Sequence, residues 1–140
     1  MPNATTPPVS MTQKEIVQHW IKSAKSDWKT VRHLFDQRDY IHVLFFAHLH
    51  LEKLLKALIV QNTETRSPYG HRLRALAQQA NLPLTNEQLV LLERVTEYNI
   101  AGRYDDWRFE FRKQCTRTFC ENELKEIVRF SKWLSKMLKP

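Results

Sequence analysis

Glycine is scarce in this chain, and its scarcity excludes several common binding sites. Only two glycines, Gly70 and Gly102, occur among 140 residues. Two isolated glycines cannot supply the Gly-x-Gly-x-x-Gly turn of a dinucleotide-binding domain or the Gly-rich loop of a P-loop enzyme. They also supply few of the tight turns that join the strands of a sheet. Rossmann and P-loop folds are therefore excluded, and a β-protein is disfavoured.

Cysteine is equally rare, and the common catalytic and metal-binding motifs are missing. Cys115 and Cys120 are too few for a disulfide framework and do not have the Cys-x-x-Cys spacing of a zinc site. The sequence has no His-Glu-x-x-His, no Gly-x-Ser-x-Gly and no EF-hand loop. These absences predict a protein of the reducing cytoplasm with no metal ion and no cofactor.

Long uninterrupted apolar runs are also missing. The most apolar stretch, residues 40–60, contains three histidines, two lysines and a glutamate, so it does not read as a membrane span. Residues 1–11 have no basic leader or apolar core and contain Pro7-Pro8, which predicts a flexible tail. We expect a soluble protein with one folded domain over residues 12–140.

What the chain does have is helical periodicity. Apolar residues recur at three- and four-residue steps over about residues 12–37, 45–59, 71–80, 85–98 and 118–138. Three pairs have the spacing of a capping box, namely Thr12 with Glu15, Thr85 with Gln88, and Thr118 with Glu121. The second of the five segments is apolar nearly all round, which predicts a central, buried helix. No segment alternates like a strand, so the pattern indicates an all-α antiparallel bundle.

Charged side chains on that central segment are the first candidates for a functional site. Glu52 and Lys56 have the i, i+4 spacing of a helix ion pair, and charges on a buried helix are kept mainly for specificity or function. His48 and His50 would face different sides of the helix, which makes them poor joint metal ligands. We interpret them as histidines of the core or its rim.

Positive charge gives two further candidates. Lys and Arg number 22 and Asp and Glu 15, a net charge of +7 that favours an anionic partner. Residues 65–86 contain no acid, and Arg72 and Arg74 lie at the start of a short helix, where they could hold a phosphate or simply face solvent. Arg103 and Tyr104 combine a guanidinium with a ring, which suits either a nucleotide or a bundle corner held by an Arg–Asp pair.

A series of sequence elements, taken in their order along the chain, resembles the HEPN family (higher eukaryotes and prokaryotes nucleotide-binding). The resemblance rests on elements spread over nearly the whole chain after the tail. They are Trp20, Ala24, Asp27, Trp28, Tyr40, Phe45, the Glu-Lys-Leu-Leu-Lys-Ala-Leu run from Glu52 to Leu58, His71, Leu73, Tyr98 and Arg103-Tyr104.

The resemblance implies an antiparallel four-helix bundle of up-down-up-down topology with an additional short helix. It also implies a homodimer, and many members are encoded beside a minimal nucleotidyltransferase as a toxin and antitoxin pair. On this basis we expect a dimeric module that binds a nucleotide, RNA or a nucleotidyltransferase partner and does not enter a membrane. The predicted ligand-binding residues are Glu52, Lys53, Lys56, His71, Arg72, Arg74, Arg103 and Tyr104.

Catalysis is left open by the sequence. Ribonuclease members of the family carry an Arg, four to six residues and then His on the third long helix. The matching arginine is Arg103, and no histidine stands at residues 107–110. The alternative function is a metal-independent ribonuclease toxin, with His48 or His71 as general base and Arg103 as phosphate clamp.

Four tryptophans, more large rings than a bundle of this size needs, add an argument for the dimer, because some of them should lie in an interface. They are Trp20, Trp28, Trp107 and Trp133.

Overall fold

The computed structural model describes residues 11–139, except for the side chains at positions 102 and 108. In this range the chain forms six α-helices and no strand, which confirms the all-α prediction. The predicted tail lies outside the described residues apart from Met11, which packs against the apolar start of the first helix. The helices are α1 (Gln13–Asp36), α2 (Tyr40–Asn62), α3 (Leu73–Gln79), α4 (Asn86–Arg103), α5 (Asp105–Gln114) and α6 (Arg117–Met137).

Two of the three predicted capping boxes begin helices. Thr12 accepts a hydrogen bond from the backbone N–H of Glu15 at 3.1 Å, and the Glu15 carboxylate accepts from the Thr12 N–H at 3.1 Å. The box of Thr85 and Gln88 at the start of α4 has the same reciprocal geometry. These local hydrogen bonds satisfy N–H groups that have no partner inside the helix.

The third predicted cap is wrong by two residues. Thr116 has the extended backbone of an N-cap, and its hydroxyl accepts from the Phe119 N–H at 3.1 Å. Thr118 already lies in the first turn of α6. Glu121, the expected partner of the box, accepts instead from the guanidinium of Arg117 at 2.7 Å. An earlier threonine in cap geometry therefore took the role that the spacing assigned to Thr118.

Helix α2 is the central element of the fold. It packs against α1, α3, α4 and α6, and every residue from 50 to 60 is buried, including the charged ones. This burial confirms the expectation from its nearly continuous apolar sequence. Because α2 is covered on several sides, its few polar side chains must find partners inside the protein.

Ion pairs join the long helices at two places. On one side, Lys53 of α2 lies 2.7 Å from the Asp27 carboxylate of α1. On the other, the Arg94 guanidinium of α4 contacts Glu123 at 2.8 Å and Glu126 at 2.6 Å, both on α6. These contacts fix the helices relative to one another at positions where apolar packing alone is not directional.

Helix α5 was not indicated by the sequence pattern. Its rings, Trp107, Phe109 and Phe111, are spaced two residues apart, which is not a helical period. Only Phe111 of the three packs inward, against the rings of Tyr98 and Phe119. Helix α4 continues through Gly102 to Arg103, and the chain turns at Tyr104 before α5 begins.

None of the helices among residues 11–139 is long and apolar enough to cross a membrane.

Candidate functional site

A groove of about 820 Å³ lies between α3, the loop before it and the C-terminal half of α4. We call it the α3–α4 groove. It brings together residues that are about thirty positions apart in sequence, and it holds four of the eight predicted ligand-binding residues. Its polar and aromatic lining consists of Tyr69, His71, Arg72, Gln79, Thr96, Asn99, Arg103 and Tyr104.

His71 is positioned at this groove by the buried carboxylate of Glu52. The His71 Nδ1 lies 2.8 Å from Glu52 Oε1, so Nδ1 carries a hydrogen and donates a hydrogen bond to the carboxylate. In the neutral imidazole the other nitrogen, Nε2, is then a free acceptor. The His71 side chain is 54% exposed, whereas that of Glu52 is 5% exposed. A buried carboxylate therefore orients an imidazole that is accessible to solvent.

The second oxygen of Glu52 is occupied by Lys56. The Lys56 ammonium donates to Glu52 Oε2 at 3.0 Å, which confirms the predicted i, i+4 pair. Lys56 also lies over the ring of Trp20, with 5.3 Å between Nζ and the ring centroid. Lys56 therefore neutralises Glu52 within the core and leaves the carboxylate free to orient His71.

His48, which is buried in α2, holds the backbone of His71. Its Nε2 lies 2.8 Å from the backbone oxygen of His71, and since a carbonyl only accepts, Nε2 must carry the proton. Its Nδ1 is then unprotonated and lies 3.8 Å from Glu52 Oε1 without a hydrogen-bond partner. Burial lowers the pKa of His48 from 6.5 to about 4, so it is neutral at pH 7. His48 thus holds the backbone of His71 in place and does not offer a base to solvent.

Arg103 forms the other wall of the groove. Its Nε donates to Asn99 Oδ1, one turn earlier in α4, and its guanidinium lies 5.9 Å from the ring centroid of Phe45. Asn99 is a groove residue that the sequence motifs did not indicate. The signal was available, because an Asn four residues before an Arg on a helix faces the same side. Because only Nε of the Arg103 guanidinium is used in this contact, its two terminal nitrogens can donate hydrogen bonds to a ligand.

The family model of the HEPN domain matches residues 17–138. The chain belongs to the HEPN domain family. No curated protein and no solved structure matches it.

Two of the predicted site residues lie apart from the groove in this HEPN domain. Lys53 is engaged with Asp27 of α1 and does not line the groove. Arg74 is directed to Glu93 of α4, with 3.7 Å between the charged atoms, and it does not line the groove. Of the two arginines at the start of the short helix, Arg72 alone contributes to the lining.

Exposed rings frame the two ends of the groove. Tyr69 is 86% exposed and Tyr104 is 58% exposed. Rings of this kind, beside guanidinium groups, are typical surfaces for stacking of a nucleobase. His71 and Arg72 of the basic segment are therefore combined with Arg103 and Tyr104 in one surface.

Thiol and metal chemistry have little support among the described residues. Burial raises the pKa of Cys115 and of Cys120 to about 12, so neither thiol is a ready nucleophile at pH 7. Within residues 11–139, no three side chains of His, Cys, Asp or Glu cluster so that they could hold a metal ion. His50 does not share hydrogen-bond partners with His48, because its ring nitrogens contact the Ala24 oxygen and the Ser131 hydroxyl.

Proposed function

We propose that this HEPN domain is a dimeric binding module that holds a nucleotide, or the phosphates of RNA, in the α3–α4 groove. The observation that carries the proposal is the placement of Arg72 and Arg103 in one groove with two exposed tyrosines. Guanidinium groups match phosphate oxygens in geometry and charge, and a ring can stack on a base. Glu52 and Lys56 contribute indirectly, by orienting His71 from below.

The proposal includes the scaffold and the partner that the family resemblance implies. In it, α1, α2, α4 and α6 form the up-down-up-down four-helix bundle, and α3 and α5 are two short additions where the sequence indicated one. The partner is a minimal nucleotidyltransferase of a toxin and antitoxin pair, in the cytoplasm. Coexpression with such an enzyme, where its gene is adjacent, tests that part: a stable complex on gel filtration supports it, and two separate peaks contradict it.

Two neighbouring arginines provide a matched test of the binding site. The probe is a fluorescent ATP analogue, with a short single-stranded RNA as the second probe. Arg72→Glu should weaken binding by about tenfold or more, because it reverses a charge that lines the groove. Arg74→Glu makes the same charge change two residues away, at a side chain already facing Glu93, and should cost far less. Changing both residues to Glu should abolish binding.

Salt dependence completes the test. Phosphate contacts release counterions, so the affinity of the wild-type protein should fall as salt rises. Circular dichroism should stay helical in all variants, since both arginines are exposed. Equal losses in the two single variants, or binding that survives the double change and high salt, would overturn the electrostatic site.

A ribonuclease activity is the second candidate, favoured by the hydrogen bond between Glu52 and His71. In this reaction His71 Nε2 takes the proton of a ribose 2′-hydroxyl, and the 2′-oxygen bonds to phosphorus as the bond to the 5′-oxygen breaks. The leaving oxygen takes a proton from solvent, and the products are a 2′,3′-cyclic phosphate and a 5′-hydroxyl. Arg103 would stabilise the charge that develops on the phosphate.

A cleavage assay in excess chelator separates this reaction from simple binding. If the domain is a ribonuclease, His71→Ala should lose about a hundredfold or more in rate, the usual contribution of a general base. His42→Ala is the matched control, because His42 pairs with Asp39 at the start of α2, outside the groove. No cleavage by the wild-type protein leaves the noncatalytic binding module as the function, whereas cleavage retained after His71→Ala removes His71 as the general base.

A further inference from the structure

A second groove, of about 870 Å³, runs between α1 and α6 and shares no lining residue with the α3–α4 groove. We call it the α1–α6 groove. Its walls are apolar along both helices, and the nucleotide proposal makes no use of it. The apolar lining consists of Trp28, Val31 and Phe35 from α1 and Leu124 and Val128 from α6.

The groove exists because α1 and α6 both pack on α2 and make little contact with each other. His50 of α2 closes it at one end, where it adjoins a smaller pocket. His50 Nδ1 donates a hydrogen bond to the Ala24 carbonyl oxygen at 2.7 Å, and its Nε2 lies 2.8 Å from the Ser131 hydroxyl. The His50 ring also lies 4.9 Å from that of Trp28. The separation of the two walls is therefore set by contacts within the chain.

The rim of the groove is strongly basic. Five exposed cations line it or the adjoining pocket, whereas the only acids are Asp36 and Glu121 at one end. Glu121 is already paired with Arg117. Within the described part of the chain, none of the five cations is in an ion pair. They are Lys25, Arg32, Lys125, Arg129 and Lys132.

The length of the groove matches a helical segment. The lining extends from Lys25 to Asp36 on α1 and from Glu121 to Lys132 on α6. At 1.5 Å per residue, each wall is about 16 Å long, or about three turns of helix. A helix of about twelve residues can place one apolar stripe between such walls and leave its polar flanks against the rim.

We propose that the α1–α6 groove docks an amphipathic helix of a protein partner, with an apolar stripe and acidic flanks. The stripe would cover Trp28, Phe35 and Val128, and the acidic flanks would meet the unpaired cations of the rim. Charge complementarity selects this occupant over a second copy of the chain. Two such grooves facing each other across a twofold axis would oppose five cations with five, and opposed like charges disfavour association.

A designed peptide pair tests the proposal on the full chain. The first peptide has Leu at i, i+3, i+4 and i+7 positions with Glu between them, and the second has the same composition in scrambled order. Fluorescence anisotropy should show saturable binding of the first peptide, weakened by salt, and little binding of the second. Equal binding of both would mean that the surface attracts any acidic peptide, and no binding of either would exclude an acidic helix; both results overturn the proposal.

Two matched charge reversals locate the binding. Lys125→Glu with Lys132→Glu changes the rim, whereas Lys14→Glu with Lys22→Glu makes the same change in net charge on exposed positions of α1 outside the groove. The rim variant should lose affinity about tenfold, since two weak attractions to the acidic peptide become repulsions. The control should stay within about twofold. Equal losses in the two variants overturn the proposal.

A third variant distinguishes a partner helix from a second copy. Val128→Glu places a charge on the apolar floor, and its helical circular dichroism is compared with that of the wild type. If it abolishes peptide binding without changing the mass by light scattering, the groove receives a partner. Conversion of a wild-type dimer into a monomer by this change would show that the groove is covered by a second copy, and the proposal would fail.

Discussion

At the scale of single residues, Glu52 sets the chemistry of the α3–α4 groove. A carboxylate that is 5% exposed is costly to desolvate, and it is stable here because each oxygen has a donor. Lys56 supplies one donor from within the core and His71 supplies the other from the surface. The same pairing that stabilises the buried charge therefore orients the imidazole at the groove.

His48 should make the protein sensitive to mild acid. Its folded pKa, about 4, is below its usual value of 6.5, so the unfolded state binds the proton first and stability is lost as the pH falls from 6.5 towards 4. Thermal unfolding followed at several pH values should show about 2 kcal/mol of this loss by pH 4.5. His48→Gln keeps an N–H donor for the His71 carbonyl but does not titrate, so its melting temperature should fall less over that range. An unchanged slope would remove His48 as the cause.

Arg103 should be needed for ligand binding more than for stability. Its side chain is exposed, whereas Asn99 and Phe45 hold its guanidinium at the groove. Arg103→Lys keeps the charge but loses the fork, so affinity for the ATP analogue should fall about tenfold while the melting temperature moves by about 2 °C or less. Arg112→Lys, at an exposed arginine of α5, is the control. A large fall in melting temperature with a proportional loss of binding would show that Arg103 is structural.

At the scale of helices, α2 organises the molecule by presenting different polar groups to different neighbours. His48 and Glu52 face α3 and the loop before it, through the backbone and the side chain of His71. His50 and Lys53 face α1. One buried helix thus connects the α3–α4 groove to the rest of the core.

The buried pair of Asp27 and Lys53 should behave as a link between α1 and α2 and not as part of a ligand site. Asp27→Ala leaves a buried ammonium without a partner and should lower the free energy of unfolding by about 3 kcal/mol in chemical denaturation. Replacing Lys53 with Met in the same protein should recover much of that loss, because the unpaired charge is then removed. Glu121→Ala breaks an exposed pair and should cost about 0.5 kcal/mol. If Asp27→Ala lost nucleotide binding without losing stability, Lys53 would instead be a residue of the ligand site.

At the scale of the whole molecule, the two grooves described above differ in their chemistry. The α3–α4 groove combines cations with exposed rings, whereas the α1–α6 groove combines an apolar floor with a basic rim. Of the four tryptophans, Trp20 is buried, Trp28 and Trp133 are partly buried in contact with the core, and Trp107 is 60% exposed. The need for an interface to cover large rings therefore rests mainly on Trp107 and its neighbour Phe109.

We predict that the whole molecule is a homodimer. Light scattering at micromolar concentration should give twice the mass of the chain, and Trp107→Ser with Phe109→Ser should shift the mass towards the monomer if α5 contributes to the interface. Both rings are exposed, so the double change should leave the helical signal intact. A monomer mass for the wild-type protein would contradict the dimer outright.

The sequence by itself determined the helical class, two of the three capping boxes, the burial of α2 and the pair of Glu52 with Lys56. All of these features depend on side chains within about one turn of each other or on the period of apolar residues along one helix. Such interactions are local in sequence, so they can be read without knowing how the helices pack. The tertiary structure decided which candidates form one site: His71 meets Glu52 from nineteen residues away, Lys53 turns to Asp27, and Arg74 turns to Glu93. Periodicity tells which face of a helix is buried but not which neighbour covers it, so the two grooves could be found only once the helices were packed.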